Sequence, residues 1–320
     1  MVKVAIAGGT SPTLGHAIVS AILKTSNVPI ILSRAPASDS TCSRPPSTLY
    51  GAEVRHIDYT SAESLTAALT DIHTVISVLK VPGPAFATVQ INLLNAARVA
   101  GVRRFAPSEF GLGAPERVDV TAAKARVWEA CLESGLEVAR FRCGGFMNYL
   151  ALGRQFGDEG AREKAAAGLE DRAIMWDFPS KVAELPVKAD GSFPRITLTE
   201  IDDVGRFVAT ACGLTEGSWL QEMDMVGETL VLGEVVELVK ECLGLELNVV
   251  KVGKEELEKR VRSVEGGGQT QNECFKKMVA QLQLVILEDR VGWGVLEPEM
   301  NSMYSHTKSL GVREYLTSYQ

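Results

Sequence analysis

The chain has little of what metal-binding, nucleic-acid-binding or secreted proteins usually need. Its 320 residues include four histidines (His16, His56, His73, His306) and six cysteines (Cys42, Cys131, Cys143, Cys212, Cys242, Cys274), all widely separated. No C-x-x-C pair occurs, so neither a zinc site nor a small disulfide framework is expected, and no metal. Reduced thiols in a cytoplasmic setting are the simplest reading. Lysine and arginine number 33 against 40 acidic residues, a formal net charge of −7. A nucleic-acid partner would usually demand the opposite balance. No apolar run reaches the ~18 residues needed to span a bilayer. Met1 leads directly into "VKVAIAG", leaving no room for a signal peptide. A cytoplasmic protein with no membrane or nucleic-acid partner is expected.

What is present is a core and a pattern. Apolar residues make up 46% of the chain and charged residues 23%, the profile of a soluble globular protein. Short, nearly continuous apolar runs alternate with helical stretches: "KVAIAG" (3–8), "VPIILSR" (28–34), "AEVRHIDY" (52–59), "HTVISVL" (73–79), "RRFAPSEFG" (103–111) and "LEVARFRCGGF" (136–146). Strands of that kind, separated by helices, predict a parallel sheet covered on both faces, the doubly wound Rossmann-like α/β fold. From about residue 150 the pattern loosens. The reading is a dinucleotide-binding domain over 1–150, joined again by about 195–213, where "ITLTEIDDVGRFVATACG" reads as a strand and helix returning to the main sheet. Residues 151–194 and 214–320 make a smaller mixed α/β lobe. The stretches 35–47 and 264–273, rich in Gly, Pro, Ser and Thr, read as mobile.

The first strand ends in "GGTSPTLG" (8–15), a glycine-rich turn into a helix. Such a turn presents free N–H groups and the positive end of a helix to a pyrophosphate. Gly8, Gly9 and Gly15 suit it, although the loop is one residue longer than the usual spacing and lacks the middle glycine. Ser11 and Thr13 supply hydroxyls in its place and are expected to face the pyrophosphate. The second strand ends at Ser33 and Arg34, with no acid before Asp39. An acid there would read the ribose 2′-hydroxyl of NAD, whereas a guanidinium forks onto the 2′-phosphate of NADP. NADPH/NADP+ is therefore the expected cofactor.

At "RFAPSEFG" (104–111) the sequence becomes specific. With "VAIAGGT", "LSR", "HTVISVL" and a lysine on the following helix, it resembles the NmrA-like group of atypical short-chain dehydrogenase/reductases, closest to the isoflavone reductase and phenylcoumaran benzylic ether reductase branch. The resemblance covers nearly the whole chain. It implies a Rossmann domain, a small substrate lobe and a cleft between them. The cofactor-binding set expected is Gly8, Gly9, Thr10, Ser11, Thr13, Leu14, Gly15, Ser33, Arg34, Lys80, Pro107, Ser108 and Lys124.

Ordinary short-chain dehydrogenases pair Ser with Tyr-x-x-x-Lys. Here Ser108 and Lys124 stand in place, but Val120 occupies the tyrosine position, one helical turn before the lysine. The isoflavone reductase branch also lacks that tyrosine, and the resemblance implies Lys124 as the proton-transferring residue. A lysine only hydrogen-bonded to the nicotinamide ribose, or one on the surface, is the alternative. Glu109 orients the lysine or satisfies loop N–H groups. Phe110, Phe146, Met147 and Tyr149 are the expected substrate wall, with Gly144 and Gly145 permitting close approach. Asp202 and Asp203 read as a helix cap or partners of Arg206. The function expected is NADPH-dependent reduction of a small aromatic or polyketide-like metabolite by a monomer or homodimer. A non-catalytic NADP(H)-sensing regulator and a non-redox isomerase or cyclase stand as alternatives on the same fold.

Overall fold

A computed structural model describes residues 1–34, 47–81, 83, 85–170, 172–264 and 270–319. In chain order the elements begin β1 (Lys3–Ala7), α1 (Leu14–Ile22), β2 (Val28–Arg34), β3 (Thr48–Leu49), β4 (Ala52–Ile57), α2 (Ala62–Ala68), β5 (Thr74–Ser77), α3 (Ala85–Val99), β6 (Arg104–Ala106), α4 (Ala123–Leu132) and β7 (Glu137–Val138). They continue β8 (Arg140–Arg142), β9 (Gly145–Phe146), α5 (Glu159–Ala166), β10 (Trp176–Asp177), β11 (Val182–Pro186), β12 (Arg195–Thr199) and α6 (Ile201–Cys212). The last are β13 (Glu222–Asp224), β14 (Glu228–Val231), α7 (Leu232–Leu243), β15 (Asn248–Val252), α8 (Lys254–Arg262), α9 (Gln271–Leu287), α10 (Glu299–Met303) and α11 (Val312–Ser318). Among the described residues no helix is long and apolar enough to cross a membrane.

The chain forms two compact units. The first comprises residues 1–110, 123–141 and 204–223, and the second 111–122, 142–203 and 224–320. The first holds a seven-stranded sheet in the order β3-β4-β2-β1-β5-β6-β7. All pairs are parallel except the short edge strand β3. From β4 to β7 this is the doubly wound dinucleotide-binding order, as the alternation of runs and helices predicts. Alternate strand residues serve opposite faces. Ala5, Ala7, Ile30, Leu32, Val75 and Phe105 form one core with α2, α3 and α4. Val4, Ile6, Ile31 and Ile76 are equally buried and belong to the other face, where α1 and α6 lie. There α6 approaches α1 so closely that a Cβ on Gly205 would stand 2.5 Å from the Ala17 carbonyl oxygen.

Arg104 on β6 is fully buried, and each of its three nitrogens has a partner. Its Nε donates to Glu137 Oε2 at 2.7 Å, and its guanidinium NH groups donate to the Leu214 carbonyl at 2.9 Å and to that of Thr215. The guanidinium lies 5.1 Å over the Trp219 ring. Burial alone would push the Glu137 carboxyl up, but Arg104 and the backbone N–H groups of Gly217 and Trp219 hold it below the usual carboxylate range. One buried cation thus fastens β6, β7 and the segment following α6.

The second unit has two three-stranded sheets, β10-β11-β15 and β14-β12-β9. Met147, Leu150, Trp176, Leu185, Leu230 and Tyr315 are among its core. Three sequence readings are corrected here. The strand in "ITLTEIDD", expected in the main sheet, is β12, and it pairs with β14 and β9 instead. The run 136–146, read as one strand, is broken into β7, β8 and β9. Gly144 takes φ +68° where it presses against the Thr197 carbonyl, and a side chain has no room there. Of the stretches read as mobile, 35–46 and 265–269 lie outside the described residues. Residues 270–273, however, form an ordered helix start. Thr270 Oγ1 accepts from the Glu273 N–H, and Glu273 Oε2 accepts from the Thr270 N–H at 2.8 Å. This T-x-x-E capping box opens α9.

Replacing Arg104 by Met leaves Glu137 and two carbonyls buried without their cation. The expected loss is about 3–5 kcal/mol in urea unfolding. Because the Glu137 carboxyl is depressed in the folded state, its contribution is full above the ordinary carboxylate range and is lost as pH falls through the lowered folded value. Wild type should therefore lose stability toward acid more steeply than Arg104→Met; equal acid slopes would refute the assignment.

Candidate functional site

The corner between β1 and α1 is built from backbone. Gly8 has φ +83°, and a Cβ on it would sit 3.1 Å from the Val78 carbonyl carbon at the end of β5. A Cβ on Gly15 would stand 2.8 Å from both the Gly8 and Gly9 carbonyl oxygens. The Ser11 N–H donates to Gly8 O at 3.0 Å, and the His16 N–H to Ser11 O at 2.8 Å. Ser11 Oγ and Thr13 Oγ1 are hydrogen-bonded at 2.7 Å, and the Thr13 N–H reaches Ser11 Oγ at 3.3 Å. The Ser-Pro-Thr insert is therefore folded on itself, with its two hydroxyls side by side. The Thr10 carbonyl accepts from Tyr50 Oη at 3.4 Å, and Leu14 opens α1. The helix N-terminus has no side-chain cap and no acidic residue in its first turn. Its positive end is left for another anion.

At the end of β2, Ser33 Oγ donates to its neighbour's carbonyl at 3.3 Å, and Arg34 is exposed. Sequence reasoning missed Tyr59. It follows β4 and is 8% exposed, with its hydroxyl buried and in no hydrogen bond of normal geometry. Burial pushes that phenol up, against the opposing pull of Arg34 and the Gly8 N–H. Glycine loop, Arg34 and Tyr59 thus meet at one place. The only hint in the sequence is the position of "IDYT" after the strand neighbouring β2. Lys80 lies exposed just past β5.

Beyond β6, Pro107 is buried and its carbonyl accepts the Glu109 N–H at 2.9 Å, while Ser108 is half-buried. Lys124, second residue of α4, is 9% exposed and Glu109 is 3% exposed. Their charged atoms, Nζ and Oε2, are 3.9 Å apart. Val120 is exposed. Burial, then the Glu109 charge, pushes the neighbouring Cys131 thiol up to about 12. Phe110 stacks on Phe141 with centroids 6.2 Å apart, and Phe141 meets Trp219 edge-on.

In the second unit, Phe146 and Tyr149 help to line a cavity of about 140 Å³. Ile174, Trp176, Leu198 and Leu282 complete much of its wall. Met147 points elsewhere, fully buried in the core. Burial raises the Tyr149 phenol, and the Glu170 charge adds to the shift. Asp202 and Asp203 begin α6; Glu200 Oε2 accepts the Asp203 N–H at 3.0 Å, and Asp203 Oδ2 accepts the Leu310 N–H at 2.7 Å. The Asp203 carboxylate thus serves the chain's own backbone, while Asp202 is exposed.

The model of the NmrA-like family matches residues 2–283. The chain belongs to the NmrA-like family. No match is found among curated protein sequences. Solved structures share the fold of this NmrA-like chain at low identity. Leucoanthocyanidin reductase from Vitis vinifera, in a binary complex with NADPH, has a TM-score of 0.70 and 19% identity, covering 99% of each chain. AtPrR2 with NADP+ and (+)pinoresinol has a TM-score of 0.69 and 18% identity, covering 100% of this chain and 99% of that one. The NADPH-dependent quinone oxidoreductase QOR2 from Escherichia coli, complexed with NADPH, has a TM-score of 0.67 and 17% identity, covering 98% and 99%.

The Gly15 contacts give a direct test. A methyl group there meets two carbonyl oxygens of the loop that α1 must leave, and backbone cannot step aside as a side chain can. Gly15→Ala should cost about 1–3 kcal/mol in urea unfolding. Gly217→Ala, whose site is open although its φ is positive, measures the cost of left-handed backbone alone and should lose less.

Proposed function

We propose that this NmrA-like chain is an NADPH-dependent reductase of a small aromatic or polyketide-like metabolite, with Lys124 transferring the proton. The observation that carries the reading is the buried Lys124–Glu109 pair, set in the same unit as a glycine loop with an open helix N-terminus. The residues present fit a dinucleotide. Any side chain at Gly8 or Gly15 would intrude on the neighbouring backbone, which keeps the loop's N–H groups accessible to phosphate. Ser11 and Thr13 bring paired hydroxyls to the same corner, and the exposed Arg34 guanidinium matches a 2′-phosphate in fork geometry. Gly9, Thr10, Leu14, Ser33, Lys80, Pro107 and Ser108 complete the proposed binding set. Solved neighbours with NADPH or NADP+ bound support the choice of cofactor.

When bound, the reduced nicotinamide supplies a hydride. The protein's own task is the proton. Glu109, the carboxylate 3.9 Å from Lys124 Nζ, is the group placed to favour the ammonium form from which a proton is given. Lys124 Nζ gives its proton to the substrate oxygen that gains electron density as the neighbouring carbon is reduced. Val120, where the tyrosine would stand, has no proton to give. Phe110, Phe146 and Tyr149 are the apolar residues proposed to shape the substrate side; Met147, expected there too, is taken up by the core.

Lys124→Ala should still bind NADPH in calorimetry, weakened by no more than the roughly five-fold worth of one hydrogen bond, yet lose about a hundred-fold or more in kcat over a panel of aromatic ketones and enones. Undiminished turnover would sink the mechanism. NADPH binding with no oxidation by any panel member would favour a non-catalytic regulator, and product mass equal to substrate mass an isomerase. Arg34→Ala should weaken NADPH about ten-fold, the worth of one charge-assisted contact, and leave NADH unchanged. Equal weakening of both cofactors would remove Arg34 from the 2′-phosphate.

A further inference from the structure

Residues 111–122 connect Glu109 and Phe110, past the end of β6, to α4, whose second residue is Lys124. The segment carries only one 3-10 turn, Pro115–Arg117, entered from Ala114 at φ +53°, a left-handed conformation uncommon outside glycine. The helix that follows has no acidic residue in its first turn, so nothing there counters the opposition between its positive end and an ammonium. The path of the chain into Lys124 is therefore set by what the segment is fastened to.

It is fastened to α9 and the turn beyond it. Ala114 and Val118 are buried against Met278, Leu282 and Val285. The Gly113 N–H donates to the Trp293 carbonyl at 2.9 Å, and a Cβ on Gly113 would stand 1.8 Å from the Gly292 carbonyl oxygen. Closest in sequence to the lysine, Asp119 and Gln281 hold each other twice. The Asp119 N–H donates to Gln281 Oε1 at 3.1 Å, and Gln281 Nε2 donates to Asp119 Oδ1 at 2.8 Å. Lys277 Nζ stands 2.9 Å from Asp119 Oδ2. Hydrogen bonds from Lys277 and then Gln281 hold the Asp119 carboxyl below the usual carboxylate range. Thr121 Oγ1 then donates back to the Pro115 and Val118 carbonyls at 2.8 and 3.1 Å, and α4 begins at Ala123.

The two partners are unequally buried. The Asp119 side chain is 61% exposed, whereas Gln281 is 7% exposed and spends both ends of its amide on that one residue. For stability alone an apolar side chain at 281 would serve the core as well. What the amide adds is selection, because a fully satisfied polar pair admits one path for the segment and penalises the others.

We propose that Asp119, held by Gln281, is a positioning residue for Lys124: the clasp fixes where α4 starts and so keeps the lysine buried beside Glu109. That Lys124 moves a proton rests on the reductase reading above; that the clasp places it does not.

The test uses the full chain and reads Lys124 directly, by its rate of acetylation with acetic anhydride. Mass spectrometry follows each lysine peptide, with the exposed Lys24 as internal standard. Asp119→Ala and Gln281→Met break the clasp, and Lys124 should then be acetylated about ten-fold faster, the effect of losing one to two hydrogen bonds on local opening. Asp119→Asn retains both bonds to Gln281 and loses only the charge facing Lys277, so Lys124 should react at close to the wild-type rate. Because Asp119 is largely exposed, Asp119→Ala opens no cavity and decides alone should Gln281→Met not fold. Over the ketone and enone panel the broken variants should lose kcat, with NADPH affinity in calorimetry unchanged and Asp119→Asn active. A purely structural role would lower the urea midpoint of the broken variants and leave Lys124 as slow as in wild type, which would overturn the proposal. Equal acceleration in Asp119→Asn would overturn it too, by making the effect one of charge. Faster acetylation in the broken variants of a chain that never oxidises NADPH would sustain the positioning and sink the reductase. Lys124-dependent turnover indifferent to all three substitutions, at an unchanged acetylation rate, would do the reverse.

Discussion

The first unit depends on how closely one helix can leave one strand. At the β1–α1 corner the chain reverses within a few residues, and Gly15 comes to rest between the Gly8 and Gly9 carbonyls. Because no side chain stands there, α1 lies flat on the sheet and its first turn opens beside the loop. A second close contact, Gly205 on Ala17, presses α6 onto the same helix. Two missing side chains therefore hold α1 from both of its neighbours. The direction of its dipole, the reach of the loop and the floor beneath Arg34 and Tyr59 all follow. A longer loop is tolerable because Ser11 and Thr13 bind each other, so the extra residue is absorbed without loosening the turn.

What could be read from the sequence was what short-range pattern encodes. A strand buried on both faces must be apolar throughout, so "VAIA", "PIIL" and "TVIS" announce the parallel sheet by themselves. The glycine turn is local too. Long-range polar contacts are not. Arg104 reads as a surface arginine until Glu137, Leu214, Thr215 and Trp219 close around it from as many as 115 positions away. Tyr59 and Trp176 read as ordinary core aromatics, because nothing local reveals that a hydroxyl or an indole N–H will be buried without a partner. The break of 136–146 into three strands hides for the same reason: Gly144 bends because Thr197 is there, some fifty residues later. Lys124 stood between the two cases. Its place on the chain came from resemblance, whereas its burial beside Glu109 is a tertiary fact.

The two buried ion pairs of the first unit show why proximity alone does not define a catalytic group. Arg104 and Glu137 meet at 2.7 Å, and both also bind backbone. An arginine does not release a proton at any pH a protein tolerates, so this pair is a fastener. Lys124 and Glu109 stand 3.9 Å apart, beyond a direct hydrogen bond. A lysine ammonium can give up its proton, and a carboxylate at that distance still favours its return. The same two charges, drawn apart by about an ångström and carried by a different cation, leave a proton on which the proposed reaction can draw.

The two units also divide the physics of recognition. Loop dipole, guanidinium and ammonium, every strong field in the candidate site, belong to the first unit. The cavity of the second is lined mostly by apolar side chains, with Tyr149 among them, and carries no charged one. A ligand that must satisfy such a wall gains from area and shape, and each ionised group on it would be a loss. Preference for an uncharged ligand follows from what that wall lacks, because a desolvated charge there would find no partner among the residues that line it.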